Sequence, residues 1–310
     1  SWQLASLSGV GQVLEVRVPQ PGEGVPAGDQ TPGQFSDWIL TRVGQLRNGS
    51  VSGFTTARPV VLPGDPPLVV SAEINGDVVA LDADDIGAPP RWRFQQSGAV
   101  FGTPAVDPAR GRVYFGTTGK LVYALDRRGM FLWAFMTQDN VVASPLVADD
   151  LVIVVSEDRT VYALDAETGA SRWTFDLGGP SVSSPALVGD LILVGGDDQA
   201  VYALDRATGA LIWTRTMPGA IEAPITIAHD GIILVPSRDG SLSAFDPKDC
   251  RGHCEPRWAF KHGGSLRTAA VAVSDRAFVI DEDGVLHAVR LEDGRLQWSV
   301  SRGFVGPAVA

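Results

Sequence analysis

The stretch VYALDAETGASRW, residues 161–173, recurs almost unchanged as VYALDRATGALIW at residues 201–213. The tryptophan that ends this stretch returns along the chain at intervals of 41, 40, 40, 45 and 40 residues. A period of this length is typical of folds in which one small structural unit is stacked on copies of itself. Six such repeats are marked by Trp92, Trp133, Trp173, Trp213, Trp258 and Trp298.

Each repeat has the pattern of four short strands. A proline segment such as VSSPAL, residues 182–187, is followed by an apolar run such as residues 191–194, then by a third strand, and then by a fourth that ends near the tryptophan. Because the apolar residues are consecutive, both faces of each strand must be covered. Radial stacking of four-stranded sheets covers both faces of every sheet. We therefore predict an all-β fold, a β-propeller of four-stranded antiparallel blades.

The two chain ends offer the strands of one further blade. Residues 56–298 supply six blades, and the N-terminal residues 1–55 contain three candidate strands at residues 2–7, 12–18 and 37–43. Residues 299–310 would add the fourth strand and so remove the exposed edges of an open ring. We expect one domain over residues 1–310 with seven blades, or eight if the protein continues further. The Pro- and Gly-rich segment at residues 19–33 is predicted to be a loop.

The turn between the third and fourth strands has its own pattern. Asp165 can accept hydrogen bonds from the backbone of its turn, and Gly169 can take the positive φ that a short bulged hairpin requires. Asp205 and Gly209 repeat the arrangement. We predict a structural role for these four residues.

Composition excludes some classes of partner. The 310 residues carry a formal net charge of −11, and no cluster of Lys and Arg is present to bind phosphates. No apolar stretch approaches the ~18 residues that a membrane span needs. We therefore predict neither a nucleic-acid partner nor a membrane span in this chain.

The two cysteines, Cys250 and Cys254, lie in one enlarged turn that we expect to be exposed. Exposed thiols so close together favour a disulfide and an oxidising compartment. A metal site that uses both cysteines and His253 is the alternative.

The ALDxxTGxxxW units at residues 163–173 and 203–213 resemble the repeats of bacterial pyrroloquinoline quinone (PQQ)-type β-propellers, and the resemblance extends over roughly residues 56–310. In that family the tryptophan docks against the neighbouring blade, which implies the same structural role for the six tryptophans. The family includes quinoprotein alcohol dehydrogenases, which use PQQ, calcium and a disulfide between adjacent cysteines. Here three residues separate Cys250 from Cys254, so the chain departs from the enzymes.

Non-enzymatic propellers of this family look closer. They include the lipoprotein subunit of the bacterial outer-membrane β-barrel assembly machinery and sensor domains of bacterial serine/threonine kinases. The resemblance implies a non-catalytic scaffold that binds another protein in a cell-envelope complex, in the periplasm or outside the cell, with a lipid anchor left open. We assign no catalytic, cofactor-binding or metal residue. The alternatives are a PQQ- or other cofactor-dependent oxidoreductase and a ligand-sensing domain of a larger receptor or kinase.

Three charged residues lie beside the proline segments that should line the central channel. Arg58, Glu222 and Arg267 are our candidates for contact with a small ligand or peptide at the channel mouth, and internal ion pairing is the alternative.

The most variable turns are the expected protein contacts: residues 19–33, 64–67, 85–90 and 247–256. The four histidines, at positions 229, 253, 262 and 287, show no metal-ligand spacing and are interpreted as surface or loop residues.

Overall fold

The computed structural model describes residues 57–250 and 254–301 in full and, for the backbone, three N-terminal strands. Those strands are β1 (Trp2–Ser6), β2 (Gln12–Arg17) and β3 (Leu40–Gln45). They form an antiparallel sheet in the order β1-β2-β3. Residues 19–33 and 302–310 lie outside the described residues, so the closing blade and the seven-bladed ring stay predictions.

Six four-stranded sheets follow, and we number them blades 1 to 6. Blade 1 contains β4 (Val60–Leu62), β5 (Leu68–Ala72), β6 (Asp77–Asp82) and β7 (Trp92–Gln95); blade 2 contains β8 (Ala105–Asp107), β9 (Arg112–Gly116), β10 (Leu121–Asp126) and β11 (Phe131–Met136); blade 3 contains β12 (Leu146–Ala148), β13 (Leu151–Val155), β14 (Thr160–Asp165) and β15 (Ser171–Asp176). Blade 4 contains β16 (Ala186–Val188), β17 (Leu191–Gly195), β18 (Ala200–Asp205) and β19 (Leu211–Thr216); blade 5 contains β20 (Thr226–Ile227), β21 (Ile233–Pro236), β22 (Ser241–Phe245) and β23 (Trp258–Lys261); blade 6 contains β24 (Val271–Val273), β25 (Arg276–Ile280), β26 (Val285–Arg290) and β27 (Leu296–Ser301).

The predicted all-β fold of four-stranded antiparallel blades is confirmed. Each strand pairs with the next along the chain, and the first strands β4, β8, β12, β16, β20 and β24 contact one another in succession. The first strand of every blade is therefore the innermost one, as in a propeller. Among the described residues, no helix is long and apolar enough to cross a membrane.

The fourth strands are longer than the sequence analysis predicted. β15 continues three residues beyond Trp173, and β27 continues to Ser301, which pairs with Val285. Residues 299–301 therefore belong to blade 6, and placing them in a strand of the closing blade was wrong. β27 extends to Ser301 because β26 begins at Val285, which gives Ser301 a pairing partner.

The core lies between the blades. Every residue of β13 is buried, and Ile153 and Val161 of blade 3 pack with Ile192 and Val194 of blade 4. The consecutive apolar residues of the second and third strands thus cover both faces of each sheet, and burial of this apolar area is the main stabilising term.

One contact joins the fourth strand to the next blade after blades 1, 2, 3 and 5. The Trp133 indole lies on Gly169, and its Nε1 donates a hydrogen bond to the Ala166 carbonyl at 3.3 Å. Gly169 has a φ of +73°, and a Cβ there would come within 2.6 Å of the indole. Only glycine fits this position, because of both the conformation and the space. The same contact joins Trp92 to Gly129, Trp173 to Gly209, and Trp258 to Gly294.

The aspartate of the same turn organises its backbone. Asp165 Oδ1 accepts hydrogen bonds from the N–H groups of Glu167 at 3.0 Å and Thr168 at 2.8 Å, and Oδ2 accepts from Arg172. The Arg172 hydrogen bond and those from Thr168 outweigh the effect of burial and lower the pKa of Asp165 to about 2. At Asp205 the hydroxyl and N–H of Thr208 lower the carboxyl pKa in the same direction.

Replacing Trp173 by alanine should destabilise the protein by about 3 to 5 kcal/mol, because the substitution leaves a cavity between blades 3 and 4. The free energy of unfolding from urea denaturation measures the loss. Thr174→Ala, on the next and exposed residue of β15, is the matched control and should change stability by less than about 0.5 kcal/mol. An unchanged denaturation midpoint for Trp173→Ala would contradict the docking role.

Asp165→Asn should destabilise the protein at neutral pH, and the difference from the unaltered protein should shrink in acid. The folded pKa of about 2 is below the unfolded value of ~3.9, so the carboxylate stabilises the fold above pH ~4 and loses this effect as the pH falls towards 2. Urea denaturation at several pH values between 2 and 7 tests this, with the exposed Glu292→Gln as control. A stability difference that is constant down to pH 2 would rule the interpretation out.

Candidate functional site

Side-chain hydroxyls link the innermost segments of successive blades. The backbone N–H of Arg58 donates to Thr103 Oγ1 at 3.0 Å, that of Thr103 donates to Ser144 Oγ at 2.9 Å, and that of Ser144 donates to Ser184 Oγ at 3.0 Å. Ser183 extends the series by donating its hydroxyl to the Ala223 carbonyl at 2.9 Å. The sequence analysis missed this bonding, whose signal is a hydroxyl residue directly before Pro104, Pro145 and Pro185.

The three charged channel candidates do not share one environment. Glu222 is half-buried where the chain enters blade 5, and its Oε1 accepts from Arg238 Nη1 at 2.9 Å. Arg58 and Arg267 are exposed. Burial and the nearby charge of Glu222 raise the pKa of Asp197. The charged group at Glu222 thus includes Arg238 and Asp197, which the sequence analysis missed because they lie in the turns between second and third strands.

Cys250 and Cys254 form the predicted disulfide, with their Cα atoms 4.2 Å apart. The expectation that both lie exposed was wrong, since both are buried and pack with Trp213 and Phe245. The two cysteines thus cover Trp213, in the place where a glycine turn covers the tryptophan of other blades. Because both sulfurs are in the disulfide, neither is a thiolate that could bind a metal.

The other predicted contact turns are only partly described. Residues 19–33 and 251–253 lie outside the described residues. In the turn at residues 64–67, Arg127 of blade 2 holds the backbone by donating to the carbonyls of Pro63, at 2.8 Å, and Pro66. The role of these turns in binding a protein stays a prediction.

An apolar surface that the sequence analysis missed lies on the outermost strand of blade 2 and on the residue just before that strand. We call it the outer-strand patch, and it consists of Met130, Phe131, Leu132 and Met136, which are 63%, 54%, 38% and 71% exposed. The residues in register with Phe131 and Leu132 are Ser171 and Arg172 in blade 3, and Leu211 and Ile212, each 45% exposed, in blade 4. Met136 is in register with Asp176 of blade 3 and Thr216 of blade 4. The signal in the sequence was the apolar run FLWAFM at residues 131–136. The sequence analysis interpreted it only as the strand that carries the docking residue Trp133.

Two histidines and an aspartate meet between blades 5 and 6. His287 Nε2 lies 3.0 Å and His262 Nδ1 3.3 Å from Asp281 Oδ2, and the two rings are 4.1 Å apart. Interpreting all four histidines as surface or loop residues was therefore wrong for His287, which is fully buried in β26. The two histidines are distant in sequence, and it is the stacking of the blades that brings them together.

The environment of Asp281 favours its charged form. Its Oδ1 accepts from the N–H groups of Val285 at 2.8 Å and Asp283 at 3.1 Å. Burial alone would raise its pKa, but the hydrogen bonds from His287 and Val285 outweigh burial, so the pKa of Asp281 lies below its usual value. The cluster thus holds a carboxylate with one oxygen directed at two imidazoles, which is a set of groups able to bind a metal ion.

Comparison with known proteins identifies the family. A family model described as outer membrane protein assembly factor BamB matches residues 75–196 and again residues 168–304. No curated protein sequence matches the chain.

Two solved structures share the fold. BamB from Moraxella catarrhalis is 24% identical to the chain, with a TM-score of 0.68 over 78% of this chain and 75% of that one. The computationally designed Ika8 protein is 15% identical, with a TM-score of 0.71 over 96% of this chain and 86% of that one. At these identities the structural likeness shows the fold alone, whereas the family match spans most of the sequence. The protein therefore belongs to the BamB outer-membrane assembly family of PQQ-like β-propellers.

Proposed function

We propose that the protein is a non-catalytic extracytoplasmic scaffold that binds another protein in an assembly complex at the outer membrane. Its family supports the general role, because the matching description is that of an outer-membrane assembly factor. The Cys250–Cys254 disulfide supports an oxidising compartment such as the periplasm. The exposed apolar residues of blade 2 support a binding surface on that blade.

The outer-strand patch is the observation that carries the proposal. Adjacent exposed apolar side chains on a folded domain are typical of protein interfaces, in which Phe and Met are enriched. Three of the four residues are Phe or Met, and two of them are more than 60% exposed. A partner that covers Phe131 and Met136 would remove this apolar surface from water.

The backbone of β11 adds a second means of recognition. Within the part of the chain that the structure describes, β11 is the last strand in the sheet of blade 2 and pairs on one side only, with β10. Its free edge can hydrogen-bond an extended segment, while the patch supplies contacts for apolar side chains of that segment. We therefore propose an extended, apolar segment of an envelope protein as the ligand.

A scaffold role also fits the use of the acidic side chains in the repeats. The carboxylates of Asp165 and Asp205 accept hydrogen bonds from their own turns. They stabilise the frame and are not free for chemistry. We accordingly propose no catalytic residue and no bound quinone.

The double substitution Phe131→Ser and Met136→Ser should weaken partner binding about tenfold or more, because it removes two exposed apolar anchors. The unaltered protein and the variant would each be immobilised and incubated with detergent-solubilised cell envelopes. Bound proteins would be identified and quantified by mass spectrometry. We expect the unaltered protein to enrich an outer-membrane assembly protein, and the variant to enrich far less of it.

Leu296→Ser is the matched control, since Leu296 is an exposed apolar residue on the outermost strand of blade 6. It should leave the captured partner unchanged, and both variants should keep the denaturation midpoint. Equal capture by all three proteins would refute the patch as the binding surface. Failure of the unaltered protein to enrich any envelope protein would refute the scaffold function itself. An absorbance change on adding PQQ and calcium would instead favour the oxidoreductase.

A further inference from the structure

The cluster of His262, Asp281 and His287 has the dimensions of a metal site. One ligand atom from each residue lies within 4.8 Å of the other two. The two nitrogen-to-oxygen distances, 3.0 and 3.3 Å, are close to the ~3.3 Å that separates ligands about 2.0–2.1 Å from a tetrahedral Zn²⁺. Small side-chain movements would therefore let all three atoms reach one ion.

The neighbouring groups hold two of the ligands in suitable orientations. The second ring nitrogen of His287, Nδ1, lies 2.7 Å from Ser299 Oγ, which leaves Nε2 directed towards Asp281. The second oxygen of Asp281 is held by the N–H groups of Asp283 and Val285. Hydrogen bonds of this kind orient metal ligands and strengthen binding. His262 is partly exposed, so water can reach the remaining coordination position.

The three residues depart from the repeat in which they stand. By strand register, His262, Asp281 and His287 correspond to Leu177, Gly196 and Tyr202 at the junction of blades 3 and 4. At the junction of blades 4 and 5 the equivalents are Met217, Ser237 and Ser243. Neither of those junctions has a histidine or a carboxylate at these positions. Ordinary blade packing therefore does not require two histidines and an aspartate here.

A buried polar atom also points to a ligand. The His262 Nδ1 atom is buried and lies 3.3 Å from Asp281 Oδ2, but this contact does not have the geometry of a hydrogen bond, and no hydrogen-bond partner for the nitrogen is found among the described residues. A cation placed between the nitrogen and the carboxylate would satisfy both buried atoms.

We propose that His262, Asp281 and His287 bind one divalent transition-metal ion, Zn²⁺ in preference to Ca²⁺ or Mg²⁺, with water as the fourth ligand. Two imidazoles and one carboxylate suit Zn²⁺, whereas Ca²⁺ and Mg²⁺ prefer oxygen ligands alone. His262 belongs to blade 5 and the other two ligands to blade 6. The ion therefore joins two blades, and its binding is independent of the partner-binding surface on blade 2.

The test uses the oxidised protein, purified without a polyhistidine tag and stripped of metal by a chelator. Titration with Co²⁺ should produce the visible absorption of a tetrahedral site and saturate at one ion per chain. Calorimetric titration with Zn²⁺ should give the same stoichiometry, and Zn²⁺ should raise the melting temperature. Ca²⁺ and Mg²⁺ should change neither quantity.

Two variants restore the residues of other blades and should fold: His262→Leu and His287→Tyr. Each should weaken Zn²⁺ binding about 100-fold or more, and Ser299→Ala should weaken it about tenfold. The exposed His229→Ala is the matched control and should bind like the unaltered protein. The proposal fails if the unaltered protein does not saturate at one Co²⁺ per chain. It also fails if His262→Leu and His287→Tyr bind Zn²⁺ as tightly as His229→Ala does.

Discussion

The contact between a tryptophan of one blade and a glycine turn of the next is the interaction on which the structure depends. A blade has two apolar faces and covers neither by itself, so it is stable only between neighbours. The indole of Trp133 closes this interface at the outer side, and the flat surface that it needs is supplied by a residue without a Cβ, Gly169. The carbonyl that accepts the indole N–H belongs to the same turn. Near the axis, the hydroxyl of one blade accepts a backbone N–H of the preceding one, as Ser144 does from Thr103. Outer and inner contacts together set the spacing of the blades.

The sequence predicted those features that depend on residues close together in the chain. The four-stranded blade follows from the apolar runs and from the spacing of Asp165, Gly169 and Trp173, which all lie within one hairpin. Strand ends were predicted less well, because the end of β27 is set by pairing with β26 and not by Trp298. The cluster of His262 and His287 was missed because its members come from different blades. The burial of Cys250 and Cys254 was missed for a similar reason, since it depends on Trp213 of the preceding blade.

The places where the chain departs from its repeat are where specific chemistry is found. After blade 4 a disulfide replaces the glycine turn. Between blades 5 and 6 a His–Asp–His cluster takes positions that hold no histidine or carboxylate at the two preceding junctions, and on blade 2 Met136 stands where blades 3 and 4 have Asp176 and Thr216. The repeat maintains the frame through Trp, Gly and Asp, so the residues that do not contribute to the frame are free to differ. This division allows one propeller frame to carry the proposed protein-binding surface and the proposed metal site in different blades.

A double-mutant cycle on Trp133 and Gly169 tests the central contact most directly. Gly169→Ala introduces both a strained φ and a clash with the indole, and in the Trp133→Ala background only the strain remains. The account predicts that Gly169→Ala costs about 1 to 3 kcal/mol less in the Trp133→Ala background than in the unaltered protein, measured by urea denaturation. Equal costs in the two backgrounds would show that the residues do not interact and would contradict the account.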